Sequence, residues 1–275
     1  MSDGDALAGH LQAHYGAAAR RAAESAAAGA PCCGPAADDC CAPGAVAAPA
    51  DLQTADRDGA GDGEVFGAGV YGRTDLENLP EAAIAGSIGC ANPVALARLE
   101  PGEDVLDLGS GGGIDVLLSA RRVAPGGRAY GVDMTPEMLE LARRNQARAG
   151  VVNAEFLEGR IEAVPLPDAS VDVVVSNCVV NLSADKGAVF AEAFRVLRPG
   201  GRLALADVVA DREPDPSLRD DLDAWAGCLA GAITRPRYRR HLLDAGFAAP
   251  EIVDSHPVAE GLWSVLVRAT KPASA

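Results

Sequence analysis

Val105-Leu106-Asp107-Leu108-Gly109-Ser110-Gly111-Gly112-Gly113-Ile114-Asp115 reads as a short apolar strand, a glycine turn and the start of a helix. Glycine lets the backbone take positive φ and pass close to a ligand, and a helix start presents N–H groups that lack intrahelical partners. The next apolar stretch, 129–132, ends at Asp133, 24 residues after Gly109. A carboxylate there is placed to accept both hydroxyls of a ribose. The glycine turn alone serves equally well as a structural corner; the turn and the acid together point to a nucleotide-type ligand. A dinucleotide fingerprint asks for glycine or alanine where this chain has Ile114, and the lysine of a Walker loop is missing, which excludes NTP hydrolysis.

Outward from that turn, strand and helix patterns alternate. Strands are expected over 104–108, 129–132, 154–157, 171–176 and 202–209, with a closing pair at 251–254 and 263–269. Helices are expected over 7–28, over 80–99 with a break near 86–93, from the glycine turn to Arg122, and from Pro136 onward. Others are expected over 186–197, stopped by Pro199-Gly200, and around 220–230 and 236–245. This order predicts an α/β fold, a doubly wound, mostly parallel, seven-stranded Rossmann-like sheet with an antiparallel closing edge. Residues 1–63, rich in Ala, Gly, Asp and Pro, are expected to hold an N-terminal helix and a flexible Cys-rich loop. Residues 64–210 are expected to form the cofactor-binding core, and residues 211–275 the helices and strands that complete the sheet and the site.

Composition narrows the function classes. Of 275 residues, 48% are hydrophobic and 23% charged, ordinary globular usage. Lys plus Arg number 24 against 39 Asp plus Glu, and a net charge of −15 repels phosphate backbones and anionic lipid, so neither nucleic acid nor membrane is expected as a partner. Aromatic residues, at 4%, are too few for a base-stacking surface. No apolar run approaches the ~18 residues of a membrane span, and Met1-Ser2-Asp3-Gly4-Asp5 lacks a basic leader, so a cytoplasmic setting is expected. Seven cysteines, an odd number, argue against a secreted disulfide scaffold, leaving ligand, redox or small-hydrophobe roles. Four crowd into Cys32-Cys33 and Cys40-Cys41; Cys90, Cys178 and Cys228 stand alone.

Asp107-Leu-Gly-Ser-Gly resembles motif I of the class I S-adenosylmethionine methyltransferases, and Arg195-Val-Leu-Arg-Pro-Gly-Gly-Arg202 resembles their post-I region. Their cofactor carries a cationic sulfonium and no phosphate, which suits the acids at 107 and 133. The resemblance implies cofactor contacts from Asp107, Gly109, Ser110, Gly111, Gly113 and Asp133. Met134 is placed to pack on the adenine or in the core. Ile161 and Glu162 follow strand three, where this superfamily frames the base, although Glu162 reads equally as a solvated acid. Asn177 and Asn181 flank Cys178 and serve either the site, with Asn177 expected among the cofactor contacts, or the local turn.

In a parallel sheet, ligands sit at the carboxyl edge where the strand order reverses. Cys178 lies just beyond strand four, which neighbours strand one, and so faces the methyl-bearing end of the cofactor. Cys228 falls on the helix after strand five, and Cys90 precedes strand one. Each alone is equally readable as a buried small hydrophobe. Taken with their neighbours they resemble the arsenite S-adenosylmethionine methyltransferases of bacteria. The motifs are Ser176-Asn-Cys-Val-Val-Asn-Leu182, Ile88-Gly-Cys-Ala-Asn-Pro93 and Trp225-Ala-Gly-Cys-Leu-Ala-Gly231, with Tyr15-Gly-Ala-Ala-Ala-Arg20 and Cys32-Cys33-Gly34 also fitting. The resemblance covers about residues 71–271 and implies As(III), free or as a thiol conjugate, held by Cys90, Cys178 and Cys228. It also implies an N-terminal cysteine, Cys33 or one of Cys32, Cys40 and Cys41, exchanging disulfides with the site, and a thiol reductant such as thioredoxin or glutathione. Two other readings share parts of the pattern: a carbon methyltransferase of quinone or sterol type, and a thiol-based binder of As(III) or a soft metal.

Overall fold

The computed structural model of the chain describes residues 3–27, 67–77, 79–213, 222–226 and 230–273. Strand β1 (Val105–Leu108) is buried along its whole length and pairs in parallel with β2 (Ala129–Asp133) on one side and β4 (Val171–Asn177) on the other. Continuous apolar strands are what a sheet covered on both faces requires. With β3 (Ala154–Glu158), β5 (Leu197–Ala210), β7 (Ala248–Ala259) and β8 (Leu262–Thr270), the path runs β3-β2-β1-β4-β5-β8-β7. These are the seven strands expected, with β8 antiparallel to both neighbours. A two-residue β6 (Ile233–Thr234) adds to the end of β5.

Helices α5 (Ile114–Arg122), α6 (Pro136–Ala149), α7 (Lys186–Val196) and α9 (Arg235–Asp244) alternate with the strands. The strand order reverses between β1 and β4, with Leu108 paired to Ser176, so Gly109 and Asn177 leave the sheet side by side.

The expected 80–99 helix is two short ones, α3 (Glu81–Ala85) and α4 (Pro93–Ala97), separated by the Cys90 segment; Asn92 caps the second through the Ala95 N–H. A four-residue helix, α2 (Arg73–Leu76), precedes them. Two strands outrun their sequence signals. Pairing with β4 carries β5 back through Pro199-Gly200 to Leu197, with a register shift between Val171 and Val173. Strand β7 runs through Pro250 and Pro257 because it is the sheet's edge, where a missing N–H costs no ladder bond, and register shifts absorb both.

Helix α1 (Asp3–Ala27) lies against the core, with Ala19 and Ala22 packed on Ala82, Met138 and Leu141. At its other end Leu7 and Leu11 pack with Tyr15, Met134, Leu182, Trp225 and Ala226, the last two on α8 (Leu222–Ala226). Among the described residues no helix is long and apolar enough to cross a membrane. The loop expected over 29–63 and most of the flanks of α8 lie outside the described residues, and with them Cys32, Cys33, Cys40, Cys41 and Cys228.

The glycine turn closes onto β2 only because residue 131 lacks a side chain. A Cβ there would lie 2.7 Å from Ser110 Cβ and Oγ and 2.8 Å from Val116 Cγ2. Gly131→Ala should therefore lower the unfolding free energy by about 1–3 kcal/mol, the usual cost of overpacking, read as a lower urea midpoint. Val152→Ala, at a position 94% exposed, should stay within about 0.5 kcal/mol. Equal midpoints for both variants would refute this account of the turn.

Candidate active site

Gly109, Gly111 and Gly113 take φ of 74°, 49° and 88°, conformations that L side chains rarely adopt. Asp133 braces this turn: one oxygen accepts the Gly111 N–H at 2.9 Å and the other the Thr135 N–H at 2.8 Å. Ser110 is buried beneath it. Met134 is half-buried under α1, and its carbonyl accepts the Gln12 amide at 2.7 Å. Ile161 is buried with Leu108, Val132 and Val180. Glu162 is more than a solvated acid, since it accepts the Ser183 hydroxyl at 2.6 Å and pairs with Arg160 at 3.3 Å.

Three carboxylates gather where the turn meets the sheet. Burial pushes Asp107 well above the ordinary carboxylate range, and the charges of Asp115 and Asp133 push it further. Burial likewise raises Asp133. Asp115 is pushed up to about 6 by burial, despite hydrogen bonds from Tyr71 and Asn177 and the nearby charge of Arg122. Asp107 Oδ1, Asp115 Oδ1 and the Ser110 hydroxyl are buried without a hydrogen-bond partner among the described residues. Buried acids that repel one another and keep acceptors unfilled suit a ligand carrying positive charge and donors. The sulfonium and ammonium of S-adenosylmethionine fit that demand.

At the end of β4, Asn177 gathers three segments. Its carbonyl oxygen accepts the Cys90 N–H at 2.9 Å; its amide nitrogen reaches the Ala91 carbonyl at 2.8 Å, the Tyr71 hydroxyl at 3.0 Å and Asp115 at 3.3 Å. Tyr71 donates to Asp115 at 2.9 Å. The expectation of a cofactor contact at Asn177 thus meets a side chain already committed to the protein. Cys90 and Cys178 are joined by a disulfide with Cα atoms 6.1 Å apart, and both are buried. Cys178 sits at φ 59°, held there by its N–H donating to the Ala206 carbonyl at 2.8 Å. Cys228 and the four N-terminal cysteines lie outside the described residues; Ala232, shortly after Cys228, packs in one cluster with Cys90, Cys178 and Ala206.

Sequence reasoning did not single out Tyr71, Asp115, Lys186 or Asp207. Asp207 is fully buried in β5 and raised to about 7 by burial. The available signal was an acid inside an otherwise apolar strand, as at Asp107.

A methyltransferase domain family matches residues 99–249. The arsenite methyltransferase of Halobacterium salinarum is 44% identical over 216 residues, covering 74% of this chain and 55% of that protein. That of Aquipseudomonas alcaligenes is 42% identical over 172 residues, covering 60% of this chain and 49% of its own. The chain thus spans about half the length of these curated relatives. The solved arsenic (III) S-adenosylmethionine methyltransferase of Chlamydomonas reinhardtii is 35% identical, superposes with a TM-score of 0.63 and covers 73% of each chain.

The raised acid carries a pH signature. Between about pH 4 and about pH 6, folded Asp115 holds a proton that the unfolded chain has released, so unfolding free energy falls as pH rises through that window. Asp115→Asn should show a shallower fall than wild type in urea titrations across it. Parallel curves would contradict the assignment.

Proposed function

The chain belongs to the S-adenosylmethionine-dependent methyltransferases and, within them, to the arsenite methyltransferases, and from that membership we propose that it methylates As(III) held by its own thiolates. The observation that carries the proposal is the convergence of Cys90 and Cys178, 88 residues apart in sequence, at the end of β4 beside the glycine turn. As(III) is soft and thiophilic, so thiolates are its matching ligands. Three of them, from Cys90, Cys178 and Cys228, bind it as a trigonal pyramid whose lone pair stays uncovered. That lone pair is the nucleophile, and because arsenic carries no proton the protein needs no general base.

When bound, S-adenosylmethionine supplies an electrophilic methyl carbon on a cationic sulfur. The protein's part is to orient and to exclude water. The glycine turn from Gly109 to Gly113, with Ser110, receives the cofactor. Asp107 and Asp115 would favour its positive charge, and Asp133, Met134, Ile161 and Glu162 would hold its nucleoside side. Asn177 acts by holding the Cys90 segment in place. Catalysis is then positioning in a dry site.

The disulfide between Cys90 and Cys178 has to open before both sulfurs bind arsenic. A thiolate opens it by exchange, forming a mixed disulfide with one cysteine and freeing the other. A second thiol then resolves the mixed disulfide, so that the pair becomes two thiols and the two attacking thiols become a disulfide. Cys33, or one of Cys32, Cys40 and Cys41, fits the attacking thiol within the chain, with another of the four or an external reductant as the second. A reductant such as thioredoxin or glutathione then restores it, in the reducing setting of the cytoplasm. In this scheme residues 1–63 bring the relay thiols, 64–210 the cofactor core, and 211–275 the third arsenic ligand and the closing strands.

Purified protein given As(III), S-adenosylmethionine and a thiol reductant should yield methylated arsenic, separated by liquid chromatography with arsenic detection. Cys178→Ser and Cys228→Ser should each lower turnover by more than the roughly 10- to 100-fold typical of losing a residue that only supports a ligand. Bound but unmethylated arsenic would favour a storage role, and turnover untouched by Cys178→Ser would overturn the ligand assignment.

A further inference from the structure

The block after Cys178 enters a short 3-10 turn, Val180–Leu182, and then α7, whose first residue is Lys186. The Lys186 side chain is only 7% exposed. Its ammonium donates to the Ser183 carbonyl at 3.0 Å and, more weakly, to that of Asn181 at 3.4 Å. It also lies 5.7 Å from the centre of the Trp225 ring, three residues before Cys228. From the other side, Gly231, three residues after Cys228, comes so close to the Asn181 carbonyl that a Cβ would overlap it. The Asn181 amide donates to the Val208 carbonyl at 2.6 Å, and Asp207, within the field of Lys186, accepts the Val208 N–H and the Tyr238 hydroxyl.

A buried ammonium is costly to desolvate, and methionine would fill similar volume without that cost. What it does here is geometric as well as electrostatic: it donates to two carbonyls of a tight turn and offers a cation to an aromatic face. We infer that Lys186 is a positioning residue for arsenic capture, holding the turn that follows Cys178 against Trp225 on α8 and so fixing how the Cys178 thiolate is presented. The inference rests on the three-thiolate reading above and adds what positions one of its ligands. Asn177 holds the Cys90 segment on one side of Cys178; Lys186 holds the turn on the other.

The test compares wild type, Lys186→Met and Lys186→Arg, reduced and full length. As(III) binding is followed by arsenic–thiolate absorbance, S-adenosylmethionine binding by calorimetry, and stability by urea midpoint. Lys186→Met should weaken As(III) binding about tenfold or more, the range seen for residues that orient metal ligands. It should raise the KM for arsenite more than it lowers kcat, and leave cofactor affinity unchanged. Lys186→Arg, which keeps the donors, should recover much of the loss. Unchanged As(III) binding in Lys186→Met, or arsenic and cofactor affinities falling in step with stability, would overturn the inference while leaving the three-thiolate reading intact. A wild type that takes up no As(III), or whose uptake survives Cys178→Ser, sinks that reading and this inference with it.

Discussion

The amide of Asn177 is the constraint on which the site depends. One side chain at the end of β4 accepts from the Cys90 N–H and donates toward the Ala91 carbonyl, the Tyr71 hydroxyl and Asp115. It therefore ties a segment that precedes the sheet to the helix that follows the glycine turn. Gly89 has no side chain because a Cβ there would occupy the space of this amide. Truncating Asn177 would strand several buried polar groups at once, each costing about 1–3 kcal/mol when left unpaired. The adjacency of β1 and β4 makes the arrangement possible, since only neighbouring strands bring residues 109 and 177 to one edge.

The same edge carries a cost in electrostatics. Asp107, Asp115 and Asp133 sit close together in a dry place, and burial raises all three. Such a cluster opposes folding above the acids' titration range. Strain and like charge of this kind collect where a ligand repays them. The unfilled acceptors of Asp107 and Asp115 mark where a cation would recover the cost.

How far sequence reading reached follows from what is local. Gly109 to Gly113, Asp107 and Asp133 were legible because a glycine turn between strand and helix is a local signal with a fixed meaning in a parallel sheet. Alternation of strands and helices was likewise enough for a mostly parallel sheet with an antiparallel closing pair and with strand four beside strand one. Strand β7 was underestimated because Pro250 and Pro257 forbid a central strand but not an edge one, and edge position is a tertiary fact. Tyr71, Asp115 and Lys186 were missed for the same reason. Nothing local distinguishes a tyrosine that donates to a buried acid 44 residues on from one on the surface. Glu162 fell between these cases: its place just after strand three was legible, but its partner, Ser183, was not derivable from spacing.

The spacing within Ser176-Asn177-Cys178-Val179-Val180-Asn181-Leu182 then has a physical reading. Cys178 occupies the left-handed region, a conformation that a cysteine keeps only when its surroundings over-determine it. Its own N–H is fixed by Ala206 in the neighbouring strand. The residue before it, still in β4, reaches toward the Cys90 segment; the residue three after it, in the 3-10 turn, reaches Val208 and meets Gly231. A longer strand would carry Asn181 past its partner in β5, and a shorter one would withdraw Asn177 from Cys90. The change from strand to tight turn at Cys178 thus lets two asparagines, one on either side of a single strained cysteine, reach two different segments, the Cys90 segment and β5.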